Sequence, residues 1–381
     1  MESAGYSPNA WVLEMVEAGN DSFYIVENGI RKFYDISSKS YKPISGREAF
    51  IILDDLRQNG NVVWNNVGST IFDLGDGVLN LEFHTKMNTL GSEVILGLHK
   101  ALDLAEKEFK GLVIGNQGAQ FSAGANLGMV FMYAIEQEYD ELNFLIKTFQ
   151  DSMMRVRYSS IPVVVAPHGL TLGGGCEMAL HADRVQAAAE TYIGLVEVGV
   201  GLIPSGGGTK ELTKRVSDAF EPGDVALNDL QNSFMNIATA KVATSAQEAY
   251  DMNIMRNEDA ISVNRLRQIA DAKEAVIEMH DQGYTQPIQS RDIQVYGKTG
   301  LALFYAGVNG MRMGDFISDH DVKIAKKIAW VMCGGDLSYA QPVSEQYLLD
   351  LEREAFLSLC GERKTLERIQ AILQGGKPLR N

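Results

Sequence analysis

Apolar and polar residues alternate along the middle of the chain in a way that predicts strands and helices in turn. The segment STIFDLGDGVLNLEF predicts two strands joined by a tight turn at residues 75–77. In SEVILGLHKALDLAEKE the apolar residues recur at helical spacing. The short apolar runs GLVIG, IPVVVAP, RVQAAA and YIGL are typical of buried strands. Strands alternating with helices predict an α/β fold built in layers.

The two ends of the chain carry different patterns. The segment FYIVENGIRKFYD alternates around Asn28-Gly29, which predicts a hairpin because Asn-Gly suits a type I′ turn. After about Leu212 the spacing of apolar residues is mostly helical. These changes predict an N-terminal segment at residues 1–66, a core at 67–216 and a helical C-terminal extension at 217–381.

Composition narrows the function classes. The formal net charge of −15 argues against sequence-independent binding of nucleic acid, which needs a basic surface. Cys176, Cys333 and Cys360 form no CxxC pair, which disfavours a disulfide framework or a zinc site and indicates a cytoplasmic location. No apolar run is long enough to span a membrane, and the N-terminal residues lack the pattern of a signal peptide.

Glycine-rich segments raise the question of phosphate binding. The dinucleotide fingerprint G-x-G-x-x-G is absent, since the run from Gly199 reaches Pro204 where the third glycine belongs. The spacing of a P-loop occurs at residues 201–206, but glycines follow where Lys and Ser or Thr are required. We therefore expect no cofactor in this chain and no phosphate cradle of either standard form.

Two other glycine turns fit a different chemistry. FSAGANL follows the strand GLVIG, and HGLTLGGGCEM follows the strand IPVVVAP. Each predicts a strand, a turn of small residues and a helix, so each turn could offer one N–H group to the same oxygen. Such a pair would form an oxyanion hole. Tight packing alone remains an alternative explanation of a glycine triplet.

Four segments, in order, resemble the enoyl-CoA hydratase/isomerase (crotonase) family: FSAGANL, IPVVVAPHGLTLGGGCEMALHADR, YIGLVEVGVGLIPSGGGTKEL and ATAKVATSAQEAYDMNI. The resemblance implies a crotonase-like β/α spiral core with a helical C-terminal extension. It also implies that the backbone N–H groups of Ala125 and Gly174 form the oxyanion hole. Glu177 and Glu197 match the two catalytic glutamates of the family's hydratases.

The implied activity is hydration of 2-enoyl-CoA to 3-hydroxyacyl-CoA in fatty-acid β-oxidation. By resemblance, Glu177 activates the water and Glu197 protonates C2, while the N–H groups stabilise the thioester oxygen. An enoyl-CoA isomerase and a non-catalytic acyl-CoA-binding module are the alternatives. Two positions depart from the family pattern, Asn126 where Asp is common and Val196 where Pro is common.

The resemblance further implies where an acyl-CoA substrate would bind. The backbone around Ala123 and Leu127 would contact the adenine and pantetheine, and Gly173 is a further candidate for substrate binding. Met129 and Phe131, in the apolar segment LGMVFMYAI, are candidates for the acyl pocket, although plain core residues show the same spacing. The candidates for binding the CoA phosphates are Arg155, Arg157 and Lys210.

Segments outside the core suggest a larger protein. Residues 1–66 resemble the end of a 3-hydroxyacyl-CoA dehydrogenase domain, and the C-terminal tail is similar to that of fused β-oxidation enzymes. The resemblance implies that this chain is the hydratase portion of a bifunctional enzyme, with NAD bound only by a missing dehydrogenase portion. The oligomeric state stays open, a homo-oligomer being one option.

Three tempting residues or motifs have simpler explanations. The segment SDHD at residues 318–321 predicts a capped helix start rather than a metal site. His168 is expected to be a core histidine. Cys176 is not expected to be a nucleophile, since the sequence shows no histidine arranged to activate it.

Overall fold

A computed structural model describes residues 7–27, 30–46, 49–221, 223–225, 227–375 and 377–381. Its strands are β1 Tyr24–Glu27, β2 Ile30–Asp35, β3 Ser40–Pro43, β4 Val62–Asn65, β5 Ser69–Asp73, β6 Val78–Phe83, β7 Gly111–Gly115, β8 Val163–Ala166, β9 Gly169–Leu172, β10 Arg184–Ala188, β11 Thr191–Gly194, β12 Ala260–Ser262, β13 Ile293–Val295 and β14 Gln341–Val343. Its α-helices are α1 Ala10–Glu17, α2 Leu53–Gln58, α3 Ser92–Glu108, α4 Leu127–Glu136, α5 Tyr139–Arg157, α6 Gly174–His181, α7 Gly208–Ala219, α8 Asn228–Ala238, α9 Ala246–Asp251, α10 Gln268–Asp281, α11 Gly297–Met313, α12 Asp319–Met332, α13 Glu345–Cys360 and α14 Arg363–Leu373.

A seven-stranded sheet in the order β12-β10-β8-β7-β6-β5-β4 forms the centre of the fold. Strands β6, β7, β8, β10 and β12 run parallel, while β5 pairs antiparallel with both β4 and β6. The predicted tight turn between β5 and β6 is confirmed, with Gly75 and Gly77 at positive φ. Every residue of β7 and β8 is buried, which explains why these strands read as continuous apolar runs.

Helices cover both faces of this sheet and form two hydrophobic cores. Helix α3 packs on β5, β6 and β7 and buries the apolar face that its spacing predicted. Helix α10 packs on β7, β8 and β10 from the other side, where Ile269 and Val276 join the smaller core. The predicted layered α/β architecture is therefore confirmed.

The region beyond residue 216 is mostly helical but also completes the sheet. Its strand β12 pairs in parallel with β10 at the edge. This strand was not predicted, because three residues are too few to show alternation. The helices α11, α12 and α13 pack against one another in series, and α14 packs on α4.

Two local predictions outside the central sheet are confirmed by the structure. Strands β1 and β2 pair antiparallel with Glu27 opposite Ile30, so the hairpin is confirmed, while Asn28-Gly29 lies outside the described residues. Ser318 and Asp321 form a capping box at the start of α12, as expected. Within the described ranges, no helix is long and apolar enough to cross a membrane, and no cluster of metal-ligating side chains occurs.

Candidate active site

A small two-stranded sheet brings the two predicted glutamates together. Strands β9 and β11 are parallel, with Leu172 opposite Gly194, so the chain leaves both strands at the same end. Helix α6 begins directly after β9 and carries Glu177 in its first turn. A short 3-10 helix at Glu197–Val200 follows β11. Parallel pairing thus explains how two acids twenty residues apart in sequence reach one site.

The loop that contains Ala125 lies against the same strand end. The backbone of Ser122 bridges to Thr171 of β9, because Ser122 N–H donates to Leu170 O and Leu172 N–H donates to Ser122 O. Gly124 has φ +100°, and a side chain there would meet Leu172 O at 2.9 Å. Only glycine therefore permits this approach of loop to strand.

The two predicted oxyanion donors come close to each other. A Cβ placed on Gly174 would lie 3.5 Å from the Ala125 nitrogen, and one placed on Gly124 would lie 3.5 Å from the Gly174 nitrogen. Within the described part of the chain, neither the Ala125 N–H nor the Gly174 N–H donates to a protein acceptor. Gly174 is also the first residue of α6, where helical N–H groups favour negative charge. The pair can serve a ligand oxygen.

Glu177 is buried and accepts two backbone hydrogen bonds. Its Oε1 accepts from Gly206 N–H at 2.7 Å and from Gly208 N–H at 2.9 Å. Burial raises the pKa of Glu177 to about 7, while these N–H groups and the charge of Lys210 oppose that rise. A carboxyl group with this pKa can hold or release a proton near neutral pH.

Glu197 lies in a poorer hydrogen-bonding environment. The residue as a whole is half-buried because part of it faces the cavity, but its Oε2 is buried and has no hydrogen-bond partner among the described residues. Burial and then the nearby Glu177 raise its pKa well above the ordinary value. The raised pKa favours the protonated form of Glu197.

Both glutamates line a cavity of about 510 Å³ that also holds most of the predicted substrate residues. Ala123, Ala125, Leu127, Met129, Gly173 and Gly174 line it, and its remaining walls are mainly apolar. Phe131 lies elsewhere and packs against the hydrophobic core. Since a helix turns 100° per residue, Phe131 is 200° away from Met129 on α4 and faces the opposite way.

Sequence reasoning missed aromatic residues of the cavity, among them Phe149 and Phe356. Phe149 on α5 lies beside Gly174, since a Cβ on Gly174 would approach its ring at 3.0 Å. Phe356 comes from α13 in the C-terminal extension. Neither lies in the four segments that carry the family resemblance, so only the packing of α5 and α13 reveals them.

The predicted phosphate-binding cations are engaged elsewhere. Lys210 is fully buried, and its Nζ contacts Glu211 and Glu345 at 3.0 Å each. Arg157 is buried and donates to Glu211 and to Leu180 O. For Lys210 and Arg157 the hypothesis is wrong, because their charges belong to a buried ion network behind α6. Arg155 pairs with Glu106 at the surface, outside the cavity lining.

The two other reactive-looking side chains are structural. His168 is buried with Nε2 on Gly118 O at 3.1 Å, and burial lowers its pKa to about 4. Burial raises the pKa of the Cys176 thiol well above the ordinary value, so it is not an activated nucleophile. Both findings agree with the sequence-based interpretation.

The chain is similar to a known protein family and to solved structures. Residues 74–223 match the enoyl-CoA hydratase/isomerase family. The solved structure of an enoyl-CoA hydratase from Bacillus halodurans superposes with a TM-score of 0.54 at 15% identity, covering 80% of this chain and 99% of that one. This likeness confirms the predicted crotonase-like fold.

Curated relatives are considerably longer than this chain. A Bacillus subtilis (strain 168) protein named "Probable 3-hydroxyacyl-CoA dehydrogenase" is 45% identical over 381 residues, which is 100% of this chain and 48% of that protein. The "Fatty acid oxidation complex subunit alpha" of Psychrobacter cryohalolentis is 28% identical over 232 residues, covering 52% of this chain and 31% of that protein. The chain thus spans about half the length of the first relative, and its match covers 31% of the second.

Proposed function

Because residues 74–223 match the enoyl-CoA hydratase/isomerase family, we propose that this chain hydrates 2-enoyl-CoA to 3-hydroxyacyl-CoA in fatty-acid β-oxidation. The observation that carries the proposal is the pair of carboxyl groups, Glu177 and Glu197, with opposite hydrogen-bonding environments in one cavity. Hydration needs one group that accepts a proton and another that donates one.

The proposed reaction begins at the thioester carbonyl. Its oxygen would accept from the N–H groups of Ala125 and Gly174, which stabilise the negative charge that develops as C3 is attacked. Glu177, as the carboxylate, takes a proton from water while the water oxygen bonds to C3. Glu197 gives its proton to C2, and the C2–C3 double bond becomes single. Before the next turnover Glu177 loses its proton and Glu197 gains one, directly or through water, which restores the starting protonation state.

The environments support this division of roles. The two N–H donors stabilise the ionised form of Glu177, which suits a base. The unpartnered Oε2 and the neighbouring carboxylate both favour the protonated form of Glu197, which suits an acid. Because the two carboxyl groups interact, both roles apply only while Glu177 is ionised and Glu197 is protonated.

A direct assay separates hydration from the two alternatives. The purified chain is incubated with crotonyl-CoA, and we expect the absorbance of the enoyl thioester to fall as 3-hydroxybutyryl-CoA appears. An isomerase would instead create that absorbance from a 3-enoyl-CoA and leave crotonyl-CoA unchanged. Binding of crotonyl-CoA without turnover of either substrate would favour the non-catalytic binding module.

We also propose that the chain works as the hydratase portion of a larger cytoplasmic enzyme. The 45% identity to a protein twice as long, named as a 3-hydroxyacyl-CoA dehydrogenase, supports a covalent link to a dehydrogenase portion. Dehydrogenation of the 3-hydroxyacyl-CoA product is the expected next step, with NAD bound by that portion. Three buried free cysteines fit a reducing compartment.

A further inference from the structure

A buried carboxyl group from the C-terminal extension reaches the back of the active site. Glu352 lies on α13, which packs against α5 and α7, and it is fully buried. Its Oε1 accepts from Gly207 N–H at 2.7 Å, and its Oε2 accepts from Lys210 N–H at 2.9 Å. Glu352 lies outside the residues that match the family, 74–223.

The same turn holds the proposed base. Along residues 206–210, the N–H groups of Gly206 and Gly208 donate to Glu177, while those of Gly207 and Lys210 donate to Glu352. The turn is therefore hydrogen-bonded to two carboxyl groups. The turn also packs closely on His181, since a Cβ placed on Gly207 would lie 2.8 Å from the ring.

We propose that Glu352 is a positioning residue for Glu177: by binding the outer N–H groups of the turn, it aims the Gly206 and Gly208 N–H groups at the catalytic carboxylate. The helical extension thereby contributes to catalysis without touching the substrate through this residue. The inference deepens the proposed function and rests on it for its kinetic test.

The charges around Glu177 determine the sign of the expected effect. Three titratable groups face Glu177: Glu197 from the turn after β11, Lys210 from α7 and Glu352 from α13. On α6 itself, the His181 ring donates to the backbone carbonyl of Glu177. Burial and the Glu177 charge raise the pKa of Glu352 well above its usual value, which favours its protonated form. Replacement of this protonated form by neutral glutamine changes hydrogen bonding and not net charge.

The test compares Glu352→Gln with Glu354→Gln, an exposed glutamate on the same helix. Glutamine presents an NH₂ group to one of the two N–H donors, so the turn loses an acceptor. We expect kcat for crotonyl-CoA to fall about tenfold or more, as expected when hydrogen bonds to the charged Glu177 weaken, with KM changed less than about twofold. The acidic limb of the pH profile should move to higher pH, because weaker N–H contacts no longer favour ionised Glu177. Glu354→Gln should match the unmodified chain.

A second variant and a second readout separate the possible failures. Glu352→Asp keeps the carboxyl group but is shorter, so its effects should have the same sign and be smaller. Infrared titration of the Glu177 carboxyl, assigned by its loss in Glu177→Gln, reports the same upward shift without turnover. An inactive unmodified chain would overturn the proposed function but leave this titration decisive for Glu352. An unshifted Glu177 midpoint in both folded variants, or a shift to lower pH, would overturn the inference.

Discussion

Glu177 and Glu197 are the same residue type, but their carboxyl groups differ in hydrogen bonding. Both follow parallel strands, β9 and β11, and both carboxyl groups have raised pKa values. Glu177 accepts two backbone N–H groups, whereas Glu197 has a buried oxygen with no partner in the described structure. Hydrogen bonding, and not burial alone, therefore distinguishes the proposed base from the proposed acid.

The largest effects are expected from removing either carboxyl group. Glu177→Gln and Glu197→Gln should each lower the rate of crotonyl-CoA hydration about 10²–10⁴-fold, since each removes one proton-transfer group. Glu274→Gln, an exposed glutamate on α10, is the control and should be unaffected. Binding of crotonyl-CoA should persist, as measured by calorimetry. Wild-type rates in both site variants would refute the two-carboxyl mechanism.

A smaller loss is expected where the two turns meet the thioester. In Gly174→Ala the methyl group would lie 3.0 Å from the Phe149 ring and 3.5 Å from the Ala125 nitrogen, in the space for the carbonyl oxygen. We expect kcat/KM to fall about 10²-fold, similar to the loss of one oxyanion donor. Gly310→Ala, where a Cβ meets nothing within 4 Å, is the control. Equal activity of the two variants would show that the oxygen binds elsewhere.

The comparison also predicts a bell-shaped pH dependence. Glu177 must be ionised, so kcat/KM should rise with pH toward about 7. Glu197 must be protonated, so the rate should fall again at high pH, as its raised pKa is passed. A pH series on the unmodified chain measures both limbs. A profile that increases steadily with acidity would contradict the requirement for ionised Glu177.

The smallest effect is expected at Asn126, which contacts neither carboxyl group. Its side chain caps α4 by accepting from Gly128 N–H at 3.1 Å, a bond that aspartate can also make. Asn126→Asp should therefore keep activity within about twofold, while Asn126→Ala should lower the free energy of unfolding by about 1 kcal/mol. Denaturant unfolding and the hydration assay measure the two effects. A large activity loss in Asn126→Asp would mean that this departure from the family pattern matters for catalysis.

Prediction from sequence succeeded where a signal is local. The hairpin of β5 and β6, the helical face of α3 and the capped start of α12 all depend on neighbouring residues. It failed for Lys210 and Arg157, since a basic residue looks the same in sequence whether it binds a phosphate or a buried glutamate. It also missed Phe149 and Phe356, which reach the cavity from separate helices.

By itself, the sequence determined the α/β class and indicated the N–H donors and the carboxyl groups of the candidate site. Short strands, glycine turns and the order of motifs can be recognised in contiguous residues. Only the tertiary structure decided which of these groups meet and in which protonation state. The pairing of β9 with β11 joins the glutamates, and α13 brings Glu352 to the turn beside them. The physical reason is that burial and hydrogen bonding, which set a carboxyl group's pKa, arise from contacts between residues distant in sequence.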